Sequence, residues 1–334
     1  MRVGTWLVLA GSLAPVLPAG AQEAQTTRTC GADTVINVYR YVLDLEPPES
    51  PALAVLGATT SHSRSATAPK PLALSAAVLT RGSSPALAGA ALDVSPYFLV
   101  GGGARSLCSY RDNSVAGRMK RVGTKTIISV GVLPLRGGSG AMRFGAAVRA
   151  TLHDPHDPIN NSALVRRLPV TSPGDELPPP ADDGAAEYEA AGRAMQARDR
   201  WIVSAGWGAA ATLVDGTFAR VADGWRHAVW LSWQRTLDAR FDLLFTGEAA
   251  LQRGASPAYR ASAAARRKLA AADLLLETTF DTGDERLHGG ASAEARVAPR
   301  VRAALGILTE PGAGPGARGR TVRAAATLRW TAGY

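Results

Sequence analysis

The sequence predicts an all-β protein, a transmembrane antiparallel β-barrel of about 12 strands, within a range of about 10 to 14, with a short helix in one long loop. Three observations carry that prediction. The closing segment 321–334 alternates: Val322, Ala324, Ala326, Leu328, Trp330, Ala332 and Tyr334 share one face of an extended chain, against Thr321, Arg323, Ala325, Thr327, Arg329, Thr331 and Gly333 on the other. Segments of the same period recur from residue 86 onward, separated by Gly, Pro and Asp turns. Beyond residue 21 no run of about eighteen apolar residues occurs, so any membrane must be crossed by strands.

At the start, Met1 and Arg2 precede an apolar stretch, 3–18, and then Ala19, Gly20 and Ala21, a small-residue cleavage pattern. Residues 1–21 therefore read as a secretory signal peptide. Export places Cys30 and Cys108 in an oxidising compartment, where they could form one disulfide. Residues 22–85 read as an N-terminal extension, loop or partial plug, since 46–85 is rich in Pro, Ser and Ala. The barrel is assigned to 86–334.

Within it, period-two segments cover 88–99, 124–132, 142–152, 201–213, 225–234, 241–251, 259–266, 274–280, 287–297, 301–307 and 321–334. Gly137, Gly138 and Gly140 supply a turn between the second and third, and 312–319 a Gly-rich turn before the last. An odd set does not close a barrel whose chain ends share one side. Two repairs restore an even number: a strand at 35–43, or a split around the Asp215-Gly216 and Asp223-Gly224 turn dipeptides. The second would send the long segments 100–123 and 153–200 to the outside. In the long loop 153–200, Pro178, Pro179 and Pro180 end a polar stretch. Asp182 or Asp183 could then cap a helix over 182–200 supported by the Glu189/Arg193 pair.

The balance of charge is basic: 37 Lys and Arg, of which Arg2 leaves with the signal peptide, against 28 Asp and Glu. The arginines are dispersed at alternate strand positions with no clustered basic helix, which argues against a nucleic-acid partner. Charged residues fall instead on the inward side of the proposed strands. Arg143, Arg149, Asp242, Glu248, Glu294, Arg296, Arg323 and Arg329 are the lumen-lining candidates. Lys125, Arg226, Arg260, Arg266, Arg300 and Arg302, with Asp93, Asp273 and Glu277, join them. Such charges would tie into cross-strand ladders, with a residual positive field favouring anions if a path stays open. Leu328, Trp330 and Tyr334 mark the terminal strand as the membrane-insertion strand.

No catalytic residue is assigned. His227 and His288 lie in strands near Ser232 and Ser292, but no G-x-S-x-G and no His-x-Ser-Asn occurs. In His153-Asp154-Pro155-His156-Asp157-Pro158 the two histidines, His153 and His156, are weak metal candidates, because Asp and Pro are ordinary turn formers after a strand and no further ligand follows at a defined spacing. No metal and no cofactor is implied.

The run Ala91-Leu92-Asp93-Val94-Ser95-Pro96-Tyr97-Phe98-Leu99 has the segments 51–57 and Pro71-Leu72-Ala73-Leu74 before it. After it come Gly145 to Leu152 and then the turn residues His153-Asp154 and Asp157-Pro158. Together these resemble a group of uncharacterised outer-membrane β-barrel proteins of Gram-negative bacteria. The resemblance implies an exported barrel and brings no activity with it. The expected role is envelope-structural or passive, anion-preferring passage of small solutes, with a plugged lumen ahead of an open one. The alternatives are a barrel-embedded hydrolase and an adhesion barrel using loop 153–200. Expected partners are outer-membrane lipid, the barrel-assembly machinery and a small anionic solute.

Overall fold

In the computed structural model the described residues are 35–37, 49–64, 72–81, 87–101, 104–106, 110, 112–135, 141–155, 157, 200–214, 218, 221–283, 285–298, 300–311 and 320–331. All lie in one compact unit, Thr34–Tyr334. In chain order the elements are β1 (Val35–Asn37), α1 (Pro51–Leu56), β2 (Leu72–Arg81), β3 (Leu87–Val94), α2 (Pro96–Gly101), β4 (Ala104–Ser106) and α3 (Val115–Thr124). There follow β5 (Thr126–Pro134), β6 (Met142–His153), β7 (Arg200–Leu213), β8 (Val221–Asp238), β9 (Phe241–Gln252), β10 (Ala258–Lys268), β11 (Ala272–Asp281), β12 (Arg286–Ala298), β13 (Val301–Pro311) and β14 (Arg320–Thr331).

β2, β3 and β5 to β14 pair with their neighbours in chain order, and β14 returns to β2, giving a closed antiparallel barrel of twelve strands. Closure leaves no edge, so every ladder group has a partner and the wall can lie in hydrocarbon. Its outer side supplies what lipid requires: Leu276 and Leu305 are each 66% exposed, with Ile307, Leu231, Leu328 and Trp330 also facing outward. In water such a continuous apolar surface would drive aggregation. Among the described residues no helix is long and apolar enough to cross a membrane.

The twelfth strand is β2, and neither repair supplies it. Val35–Asn37 pairs instead with β4 in a separate two-stranded ladder, and the Asp215-Gly216 region falls between β7 and β8, already two strands. The barrel therefore begins at Leu72 and not at 86. The predicted strand 88–99 is also shorter, since it stops at Val94 and Pro96 opens α2. Arg200 begins β7 and does not end a helix, while 182–199 lie outside the described residues.

Strand direction fixes which connections share an end. β2 starts and β14 finishes at the same end, because Ala73 pairs with Thr331. Successive antiparallel strands then bring both long connections, 95–125 and 154–199, to that same end, the terminal end. The hairpin 253–257 lies at the opposite one, while the short turns 239–240 and 269–271 lie at the terminal end beside the long connections. The strands joined by the long segments therefore meet them at the end where β2 starts and β14 finishes, and not at the opposite end, where the second repair would send them.

Candidate functional site

The site is the lumen, and the segment 49–64 occupies it. Pro51 suits the first turn of α1 and Gly57, in the left-handed region at φ 74°, ends it after six residues. Unlike an ordinary surface helix, α1 is buried along nearly its whole length: Ala52, Leu53, Val55 and Leu56 are all at or below 8% exposure. It packs chiefly on β6, then on β5, β7 and β3. The inward residues meeting it are Ala77, Ala91, Leu133, Ala147, Ala210 and Trp230.

The wall makes room for it with glycine. A Cβ at Gly208 would overlap Val55 Cγ2, one at Gly306 would overlap the Thr60 carbonyl oxygen, and one at Gly145 would lie 2.9 Å from Leu56 Cγ. These strand-interior glycines weaken local β propensity, and the close approach of the plug is their reason. A helix with side chains measures about 10–12 Å across, which suits a barrel of about 12 strands, between the filled eight-stranded and open sixteen-stranded cases. A cavity of about 70 Å³ remains between plug and wall, lined among others by Arg64, Arg149, Trp230 and Arg266.

Beyond Gly57 the plug turns polar and crosses to the opposite wall. Arg323 of β14 donates to the carbonyls of Gly57 at 2.6 Å and Thr59 at 3.2 Å. Glu277 of β11 accepts from Ser61 Oγ at 2.6 Å and from the backbone amides of His62 and Ser63 at 3.0 and 2.9 Å. Thr246 Oγ1 of β9 accepts from the Arg64 amide, and Glu248 pairs with the Arg64 guanidinium. That guanidinium also lies 4.2 Å from the centre of the Trp230 ring, a cation–π contact in a desolvated setting. At the start of the plug, Asp93 Oδ1 accepts from Ser50 Oγ at 2.6 Å and from Ser129 Oγ, while Arg329 lies 2.7 Å from Asp93 Oδ2. Within the plug Glu49 accepts from the amide and hydroxyl of Thr60, so its two ends are tied together.

The lumen candidates read from the sequence are distributed as follows. Arg149, Asp242, Arg323 and Arg329 are buried on inward strand positions, and Glu248 is nearly so. Glu294 is partly exposed and paired with Arg302 at 3.2 Å. Arg143 is partly exposed, and Arg296 is exposed at the bulge that ends the β12–β13 pairing. Cross-strand ladders exist: Arg260 sits 2.8 Å from Asp281 and 3.9 Å from Glu248, and Lys268 sits 2.9 Å from Asp242. The strongest polar partners of the wall, however, belong to the plug. Ser50, Ser61, Ser63 and Arg64 carry no signal in the sequence, since no spacing marks a short segment that meets its partners across the lumen.

At the terminal end, a second cluster engages the carboxylates of the weak metal candidate. Asp154 accepts from Arg200 Nε at 3.1 Å and NH2 at 2.6 Å and from Lys125 Nζ at 3.3 Å. Asp157 accepts from Tyr110 Oη at 2.6 Å and lies 2.7 Å from Lys125 Nζ. Burial would raise the Asp154 carboxyl, but Lys125 and Arg200 outweigh it and hold it well below the usual carboxylate range. Burial likewise pulls Lys125 down while Asp157 and Asp154 pull it further up. The carboxylates are thus taken by cations of the chain. His153 is exposed and stacks on Trp201, with centroids 4.1 Å apart. Among the described residues no group of three or more His, Cys, Asp or Glu could hold a metal ion. His156, Cys30, Cys108 and Tyr334 lie outside the described residues, while Leu328 and Trp330 face outward.

The geometry defines a class: a transmembrane antiparallel β-barrel of twelve strands. No protein-family profile and no curated protein sequence matches the chain. Solved structures of similar fold include the KdgM porin in complex with disordered oligogalacturonate, at 6% identity over 78% of this chain and 99% of that one, TM-score 0.43. The NanC porin matches at 9% identity over 78% and 100%, TM-score 0.42. The Pseudomonas putida toluene transporter TodX matches at 10% identity over 89% and 97%, TM-score 0.33. These are outer-membrane β-barrels, and at such identities the likeness is one of fold.

Proposed function

We propose that this chain is an outer-membrane channel for small solutes whose resting lumen is closed by its own segment 49–64. The observation that carries the reading is the plug's two-sided attachment. Apolar contact holds α1 to β3 and β5 to β7, whereas Arg323, Glu277 and Glu248 hold 57–64 to the far wall by polar contacts that water can replace. A barrel serving only the envelope could fill its interior with wall side chains alone. This one instead lines its interior with charged side chains, Arg149, Arg266, Arg323 and Arg329 among the buried basic groups.

In this reading the positive residual field of the freed lumen favours anions. The test replaces 49–64 by a Gly-Ser segment of equal length and measures conductance in planar bilayers. The native chain should be closed or nearly so, the variant open, with a reversal potential in a salt gradient that reports anion preference. A folded variant that stays closed refutes the channel and leaves the envelope-structural role. Cation preference refutes the anion reading alone.

A further inference from the structure

The helix α3 is built the wrong way round for a helix in water. A surface helix turns its apolar stripe inward and its polar face out. In α3 the buried positions are Gly117 and Thr124, small or polar residues. Val115, Met119 and Val122, spaced i, i+4 and i+7, form one stripe roughly half a turn away from them. Val115 is 78% and Met119 66% exposed. The neighbouring α2, which packs on α3, ends with Leu99 and Val100 at 71% and 90% exposure. Exposed Arg118 flanks the stripe on one side, exposed Lys120 stands about a quarter turn beyond it on the other, and α3 itself contains no acidic residue.

Position supplies the partner. α3 runs through Lys125 straight into β5, whose outward Ile128, Val130 and Val132 belong to the lipid-facing wall. At about 3.3 Å per strand residue, Thr124 lies on the order of 13 Å along the chain from Ile128, less along the normal for a tilted strand. That brings α3 to the headgroup zone flanking the hydrocarbon. An apolar stripe with basic flanks, continuous with a lipid-facing wall, has the chemistry of an interfacial membrane helix.

We infer that α2 and α3 form a foot at the terminal end of the barrel that lies in the adjoining leaflet and binds anionic phospholipid there. Val115, Met119, Leu99 and Val100 enter the headgroup and acyl boundary, and Arg118 and Lys120 meet phosphate. The foot anchors the rim beside the buried cluster of Tyr110, Lys125 and Asp157 that holds the connection to β6 and β7. This inference needs the barrel to sit in a membrane and is independent of whether the plug ever moves.

The test uses the full chain with Cys30→Ser and Cys108→Ser, a nitroxide label at Met119→Cys, and liposomes containing phosphatidylglycerol. A heat-dependent mobility shift verifies the barrel in each variant. The expected result is a several-fold lower collision rate with an aqueous nickel chelate than for the same label at Gly254→Cys, in the exposed hairpin at the opposite end. Protection should be lost when Arg118→Glu and Lys120→Glu are added, or when the lipid is wholly zwitterionic. A label at Met119 as accessible as that at Gly254 overturns the inference. So does protection that survives charge reversal, which would assign the stripe to a protein contact.

Discussion

Glu277→Ala is the substitution that weighs most on the plug. Its carboxylate is the acceptor for Ser61 Oγ and for the amides of His62 and Ser63, and it is itself 8% exposed. Removing it takes the acceptor from the His62 amide outright and the charged acceptor from Ser61 Oγ and the Ser63 amide, which keep only the Ser63 carbonyl at 3.2 Å and Ser61 Oγ at 3.0 Å. With bonds to a charged group worth about 1.5–3 kcal/mol, one lost and two weakened, docking of 57–64 weakens by about 3–5 kcal/mol. Water entering the vacated space favours the lower end. Even about 3 kcal/mol multiplies the undocked population by roughly a hundred, since each 1.4 kcal/mol is a factor of ten. The assay is the rate at which a membrane-impermeant thiol reagent modifies Ser63→Cys in liposomes, read by mass on the peptide that carries it. The rate should rise by a similar factor in the Glu277→Ala background, and bilayer conductance should rise with it. Glu277→Gln, which keeps one carbonyl acceptor, should fall between. An unchanged rate in a folded Glu277→Ala barrel would show that the apolar side alone holds the plug, and the two-sided account would fail.

Three further outcomes are expected. Asp154→Asn leaves Lys125 and Arg200 buried without their shared carboxylate and should cost about 3–5 kcal/mol at the terminal end, seen as a lower thermal gel-shift midpoint. Because the Asp154 carboxyl is depressed, its contribution is full above the ordinary carboxylate range and fades as pH falls through the depressed value; that of Lys125, which is raised, is full below the ordinary lysine range and fades as pH climbs through the raised one. A midpoint falling already between about pH 5 and 8 in the native chain, but not in Asp154→Asn, would contradict that window. Leu305→Arg, on the outward side of β13, should cost about 2–4 kcal/mol if it lies near the bilayer midplane and reduce the heat-modifiable fraction; undiminished assembly would mean that this face does not meet lipid. In the β1–β4 ladder Val35 pairs with Ser106, so the ladder end nearest Cys30 in the chain is also the end nearest Cys108; a non-reduced digest should contain the linked peptide, and two free thiols would refute the bridge.

The outward face is the legible part. Lipid demands apolar side chains at every second residue, and β14, β11 and β13 meet that demand at Leu328, Leu276 and Leu305, with Thr278 and Thr309 the polar exceptions toward one end of β11 and β13. β2 escapes a period-two reading because its inward residues face the plug and not water: Ala73, Ser75 and Ala77 are buried, Ala76 lies between them on the outward side, and alanine on both faces blurs the alternation. α1 is illegible for a related reason. Its six residues span fewer than two turns, too short for a helical period to emerge, and its Pro and Gly ends look like those of any loop. The wall glycines carry the missing signal, since Gly145, Gly208 and Gly306 all stand at inward strand positions where only a close neighbour explains them.

The same residues explain why charge pattern alone misjudges the lumen's partners. Reading inward Arg and Glu as cross-strand ladders assumes that the nearest opposite charge is on the wall, and Arg260 with Asp281 and Lys268 with Asp242 obey it. Arg323 and Glu277 add partners of another kind: backbone carbonyls, amides and a hydroxyl of 57–64, groups that carry no charge and so leave no trace in a sequence of charges. An ion bound to neutral dipoles keeps its net charge where an ion pair cancels it. Because Arg323 and Glu277 carry opposite charges, their contacts with 57–64 fasten the plug without setting a sign for the lumen, and in the proposed channel a preference for anions would rest on the surplus of inward arginines.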